Sequence, residues 1–222
     1  YKKIYISDAK KEIETLKLPF RKTKEDLTIS LIKEKINVSI IDYGMGNTQS
    51  LINAFDILGI KTQLTTDYKI IKNSNICILP GVGAFPEGMK QLNKFKLIER
   101  IKEFSNSGGR LIGICLGMQL LLSEGTEYEK CPGLNIISGT VEKLPRFSTN
   151  GSKTTLPHVG WNSIELLNNE DKSFKKLNNI HQYFVHSYAL NFSKENQSQA
   201  LFTSNFEGHK FVSMIRKLNT FG

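Results

Sequence analysis

The residues best suited to covalent chemistry lie in RLIGICLGMQLL, residues 110–121. An apolar strand that ends on Cys115 and turns at once into Leu116, Gly117, Met118 and Gln119 is a nucleophile elbow, whose sharp strand-to-helix turn lifts the side chain above the sheet. Gly113 and Gly117 fit such a turn because it brings backbone segments too close together for side chains. The following helix directs its amino end at the sulfur, and the positive end of its dipole favours thiolate over thiol. Backbone N–H groups at the same point can receive the negative oxygen of a tetrahedral intermediate. Cys77, inside the apolar run NICILP, reads instead as a small buried hydrophobe, and Cys131, beside Pro132, as inert.

A nucleophile of this kind needs a sheet beneath it. VSIIDY (38–43), KTQLT (61–65), NICILP (75–80) and RLIGI (110–114) read as strands, alternating with helices expected at 48–58 and 91–105. Strands and helices in alternation imply crossover connections and an α/β fold, with a mostly parallel central sheet covered by helices. Ligands in such sheets sit beyond the carboxyl ends of the strands, where Cys115 falls. After Gly125 the pattern changes to short strand candidates at 134–138, 141–144, 162–166, 182–190, 200–203 and 209–216, which read as antiparallel additions in the C-terminal half. NGSKTT, at 150–155, reads as a surface turn. Residues 1–37 read as a basic N-terminal arm, with ten Lys and Arg against six Asp and Glu, preceding a domain over 38–222.

Composition narrows the function classes. The 222 residues carry a formal net charge of +9, but the cations are mostly scattered lysines, and the five arginines form no cluster of the kind that reads nucleic acid. No nucleic-acid partner is therefore expected. No run approaches the roughly 18 apolar residues of a membrane span, and three cysteines form no disulfide framework in a chain of this size, so a reducing, cytoplasmic setting without membrane contact is expected. GMGN after the first strand is too little for a dinucleotide fingerprint, lacking both the full glycine pattern and an acid at the end of the second strand.

Further motifs accompany the elbow in a fixed order: IDYGMGN (41–47), LPGVGAFPEGM (79–89), GICLGMQLL from Gly113, PHVGWN (157–162), YFVHSY (183–188) and FVSMIRKLNTFG (211–222). Together they resemble the class I glutamine amidotransferases, and within them the glutaminase subunits of imidazole glycerol phosphate synthase. The resemblance implies that Cys115 attacks the carboxamide carbon of glutamine to form a glutamyl thioester and release ammonia. It implies an oxyanion hole from the loop Gly81, Val82 and Gly83 with the amide of Leu116, in which one peptide must reorient before the hole is complete. Gln119, Ser187 and Tyr188 would hold the amino-acid end of glutamine, with no metal and no cofactor. Pro157, His158, Gly160, Trp161 and Asn162 would contact a partner, a cyclase subunit of β/α-barrel fold that receives the ammonia in histidine biosynthesis.

Such a thiol also calls for a general base, which in this family is a His two residues before a Glu. No His-x-Glu pair occurs in the sequence. His186 reads as structural and His209 as exposed, and His181 or His186 could stand in as the base only in a rearranged site. The expectation is thus a chain that stops just before its last strand and helix, with a raw sheet edge and little turnover of its own. Two alternatives stand beside it: an ammonia-supplying paralogue for surface sugar amination, and a partner-binding subunit that does not hydrolyse glutamine.

Overall fold

Four short strands set the frame: β1 (Val38–Ile41), β2 (Thr62–Thr65), β3 (Ile76–Leu79) and β4 (Arg110–Gly113). Every residue of β1 is buried, as expected of a strand covered on both faces. The four pair in parallel in the order β2-β1-β3-β4. This computed structural model describes residues 36–168 and 173–222. The arm expected at 1–37 lies, through residue 35, outside the described residues, whereas Ile36 packs beneath β1 and Asn37 accepts the backbone N–H groups of Asn75 and Ile76.

The connections are α1 (Thr48–Ile57), α2 (Tyr68–Lys72), α3 (Phe85–Lys94), α4 (Ile98–Asn106) and α5 (Leu116–Leu120). Side chains of Asn47 and Asp67 accept the backbone N–H groups of Ser50 and Lys69, satisfying donors that open α1 and α2. One side of the sheet packs Ile41, Leu79 and Leu111 against Phe85, Leu92, Leu97 and Ile101; the other packs Val38, Ile40 and Ile78 against Leu51, Ile52 and Phe55. The single helix expected over 91–105 is two. Leu92, Phe95 and Ile98 define one helical stripe and Leu97, Ile101 and Phe104 another, so no straight helix buries both. Lys96, at φ 55°, turns the chain so that Leu92 and Leu97 are both fully buried, while Phe95 remains partly exposed.

In the C-terminal half, β5 (Glu124–Gly125), β6 (Cys131–Pro132), β7 (Thr140–Lys143), β11 (Tyr188–Asn191), β13 (His209–Lys217) and β14 (Thr220–Phe221) extend the same sheet in the order β4-β14-β13-β11-β7-β5-β6. On the outer side, β12 (Ala200–Phe206) pairs β13 and β9 (Glu165–Leu166). These pairings are antiparallel except β14 with β4 and β5 with β7. The edge of β4 is paired in parallel with β14. A separate antiparallel pair is formed by β8 (His158–Ser163) and β10 (His181–His186).

Several strand expectations are corrected. Residues 134–138 form a loop, because the amides of Leu134 and Ile136 bond to the carbonyls of Leu120 and Leu121 at the end of α5 rather than to a neighbouring strand. Residues 162–166 divide between β8 and β9 at Ile164. Residues 182–190 divide at Ser187 into β10 and β11, which belong to different sheets. Among the described residues no helix is long and apolar enough to cross a membrane.

Candidate active site

Cys115 stands between β4 and α5 at φ 56°, ψ −116°, a backbone region that non-glycine residues rarely occupy. Holding a side chain there costs about 1–3 kcal/mol, and the surrounding packing enforces it. A Cβ on Gly117 would lie 1.8 Å from the carbonyl oxygen of Leu79, and one on Gly81 would lie 2.8 Å from the amide nitrogen of Gly117. The loop after β3 and the turn after β4 are thus pressed backbone to backbone. Further hydrogen bonds hold the turn: Ile114 N–H donates to the Leu79 carbonyl and Gly117 N–H to that of Ile114. The elbow expected from the sequence is present in this form.

The loop expected to supply the oxyanion hole touches the elbow with its polarity reversed. Val82 N–H donates to the Met45 carbonyl at 2.6 Å, away from the sulfur, and Leu116 N–H donates to the Gly81 carbonyl at 3.3 Å. Turning the 81–82 peptide releases both donors at once. Val82 is 52% exposed, so little packing resists the turn, and Gly83 sits at φ 105°. Beneath the loop, the buried Tyr43 hydroxyl donates to the Pro80 carbonyl at 2.7 Å. Burial, with the nearby Cys115 sulfur, pushes its ionisation well above the usual phenol range, so it stays a neutral donor.

The thiol itself departs from expectation. Cys115 opens to solvent, yet the sulfur lies in a recess crowded enough that desolvation raises its pKa above the ordinary thiol range. The Leu116 N–H opposes this only in part, and α5, a helix of five residues, is too short to reverse it. Among the described residues no histidine hydrogen-bonds the sulfur. A raised thiol pKa means that the thiolate fraction grows with pH through the whole neutral range. Alkylation of Cys115 by iodoacetamide should therefore rise about tenfold per pH unit from pH 6 to pH 8 without a plateau, followed by mass spectrometry. A plateau below about pH 7.5 would mean a depressed thiol and sink this reading.

Gln119, one turn along α5, reaches the opposite wall, where its Nε2 donates to the Tyr188 carbonyl at 2.9 Å. Tyr188 begins β11, and Ser187, half-buried beside it, accepts the Leu144 N–H through its carbonyl at 2.9 Å. The elbow, Gln119 and the Ser187–Tyr188 turn thus join into one continuous structure. His186 lies behind it, with Nδ1 3.0 Å from the same Tyr188 carbonyl. His209 is half-buried rather than exposed, with Nε2 2.8 Å from the Phe147 carbonyl, and His181 is exposed on β10.

The PHVGWN segment divides between inside and outside. His158 is 8% exposed and stacks on Phe184 at 5.4 Å, so it faces the interior and is not part of an outer contact surface. Asn162 is tied down, its Nδ2 donating to the Asn205 carbonyl. Pro157 is exposed, and Gly160, at φ 144°, is followed by Trp161, which is 71% exposed. Beside Trp161 lie Val159, Tyr183 and Val185, each more than half exposed, with Tyr183 opposite Trp161 and Val185 opposite Val159 across the two strands. Tyr183 and Val185 were missed from the sequence, although their period-two spacing in HQYFVH was the signal for them.

Residues 39–222 match the family model described as glutamine amidotransferase class-I, and the chain belongs to that family. It is 37% identical over 191 aligned residues to "Imidazole glycerol phosphate synthase subunit HisH 1" of Legionella pneumophila (strain Paris), covering 84% of this chain and 89% of that one. It is 39% identical over 185 residues to the HisH subunit of Listeria innocua, covering 83% and 85% of the two chains. Among solved structures, a crystal structure of a glutamine amidotransferase aligns with a TM-score of 0.61 at 17% identity over 83% of this chain and 86% of the other, a likeness of fold.

Proposed function

We propose that this chain acts as the glutaminase subunit of imidazole glycerol phosphate synthase, hydrolysing glutamine to glutamate and passing ammonia to a cyclase subunit of β/α-barrel fold in histidine biosynthesis. The observation that carries the chemistry is Cys115 fixed in a strained turn, with the Leu116 amide against its sulfur and the Val82 amide in the loop pressed on that turn. The Cys115 sulfur, as thiolate, attacks the carboxamide carbon. The resulting oxyanion is received by Leu116 N–H and, once the 81–82 peptide has turned, by Val82 N–H, with Gly83 giving the loop its freedom. Expulsion of ammonia leaves the glutamyl thioester, which water hydrolyses to glutamate. Gln119, Ser187 and Tyr188 hold the amino-acid end of the substrate. The proton that leaves the thiol and reaches the departing ammonia requires a base that the described residues do not set beside the sulfur.

The histidine-pathway reading is supported by the names of the relatives, and the partner by the exposed apolar face of β8 and β10. The testing experiment is covalent capture: a glutamine-derived chloroketone should add a single glutamyl-like mass to Cys115, glutamine should protect against it, and the cyclase should accelerate it. Labelling that glutamine does not slow would remove the substrate assignment. An exposed Trp packed across a strand from a Tyr is the kind of aromatic anchor that dominates interfaces. Trp161→Ala is expected to weaken binding of the cyclase by about 2 kcal/mol, roughly thirtyfold, by calorimetry, with no change in thermal midpoint. Unchanged affinity would move the docking face elsewhere.

A further inference from the structure

A chain of four polar groups runs behind the glutamine site. The Nδ2 of Asn162 lies 3.5 Å from His158 Nε2, His158 Nδ1 lies 3.2 Å from His186 Nε2, and His186 Nδ1 lies 3.0 Å from the Tyr188 carbonyl. The two rings sit in an aromatic nest of Phe184, Phe206 and Phe211. Donor and acceptor roles follow by elimination. A carbonyl only accepts, so His186 Nδ1 carries the hydrogen. A neutral imidazole carries one, so His186 Nε2 accepts and His158 Nδ1 must donate; His158 Nε2 then accepts from the Asn162 amide. Burial keeps both rings neutral, lowering His158 and bringing His186 down to about 4. Every hydrogen therefore points the same way, from Asn162 towards Tyr188. At its end the Tyr188 carbonyl receives two donors, His186 Nδ1 and Gln119 Nε2, which use both of its lone pairs and fix which end of the Gln119 amide faces it.

We infer that His158 and His186 are positioning residues, a directional pair that holds the Tyr188 carbonyl and, through it, the Gln119 amide in the orientation that receives the amino-acid end of the substrate. This inference rests on the proposed glutamine site. Neither ring touches Cys115 or the reacting amide; each acts by removing freedom from a group that does. Local sequence does not require it, because the pair meets only where β8 and β10 place His158 directly opposite His186.

The test has two arms on the full chain. Nitrogen-15 NMR of the histidine rings reads the tautomers directly. Both His158 and His186 are expected as neutral Nδ1–H forms at pH 7, the opposite of free histidine's preference; an Nε2–H form or a charged ring at either position overturns the relay. The second arm compares alkylation of Cys115 by the glutamine-derived chloroketone with alkylation by iodoacetamide. His158→Phe keeps the aromatic packing but removes the donor, and should lower the chloroketone rate about three- to tenfold while leaving iodoacetamide unchanged. His158→Asn, whose amide nitrogen stands where Nδ1 stood, should restore it. A chloroketone rate unaltered by His158→Phe, in a wild type that glutamine protects, overturns the positioning role. A wild type that glutamine does not protect overturns the glutamine site and the positioning role built on it, and the NMR arm still decides the relay itself.

Discussion

Replacing Gly117 with alanine is expected to destabilise the domain by about 3 kcal/mol or more and to lower its thermal midpoint by roughly 10 °C. The added Cβ would sit 1.8 Å from the Leu79 carbonyl oxygen and 2.8 Å from its carbon, and both are backbone atoms at the end of β3 that cannot swing aside like a side chain. Relief requires moving α5 or the strand end. Either motion breaks the bond from Ile114 N–H to that same carbonyl and spreads the loop carrying Gly81 and Val82. The expected signature is double: a lower midpoint in calorimetry and loss of glutamine-protected labelling at Cys115 in whatever fraction stays folded. A variant with the wild-type midpoint would show that the elbow is not packed backbone to backbone as described.

Cys115→Ala is expected to abolish covalent capture by the glutamine-derived chloroketone, because it removes the sulfur that the reagent alkylates. Tyr43, the buried hydroxyl near the sulfur, cannot substitute, since it is held neutral and already donates to Pro80. Stability should respond in the opposite sense to activity. Alanine keeps a Cβ at φ 56° and therefore keeps the strain, whereas Cys115→Gly releases it. After subtracting the backbone entropy that glycine loses on folding, the glycine variant should be more stable than the alanine variant by about 1 kcal/mol. Denaturant titration of the two inactive variants measures that difference without interference from chemistry. Equal stability would mean that the surrounding structure does not force the turn into its unusual conformation.

The strain at Cys115 and the reversed peptide before Val82 suggest a division of labour within the site. Cys115 is fixed in advance by packing, at the cost of conformational strain. The amides of Val82 and Leu116 are held by replaceable backbone bonds to Met45 and Gly81. Only the second half needs to move for the site to be completed, and its loop is exposed at Val82.

The elbow was legible in the sequence because a strand–turn–helix with the nucleophile at its apex depends on neighbours along the chain: branched apolar residues before Cys115, a glycine two residues to either side, and α5 immediately after. The parallel core was legible for a similar reason, since β1 and β3 are largely apolar runs that suit burial on both faces. The helix over 91–105 was misread where two apolar stripes out of phase demanded a left-handed residue at Lys96, which stripe counting along one helix does not reveal. What only the tertiary structure decided are the relations between strands far apart in sequence. The register that sets His158 opposite His186 turns one histidine of a surface-looking motif inward, leaves Trp161, Tyr183, Val159 and Val185 outward, and sends Ser187 across to a different sheet. Side-chain direction in a strand reverses with every residue, so the pairing of β8 with β10 and the break at Ser187 fix which groups face inward and which face outward. The sequence alone determined the elbow that presents Cys115 and the sheet that raises it; the tertiary structure decided the direction of the peptide before Val82 and the inward turn of His158, because both depend on contacts between segments that no local pattern connects.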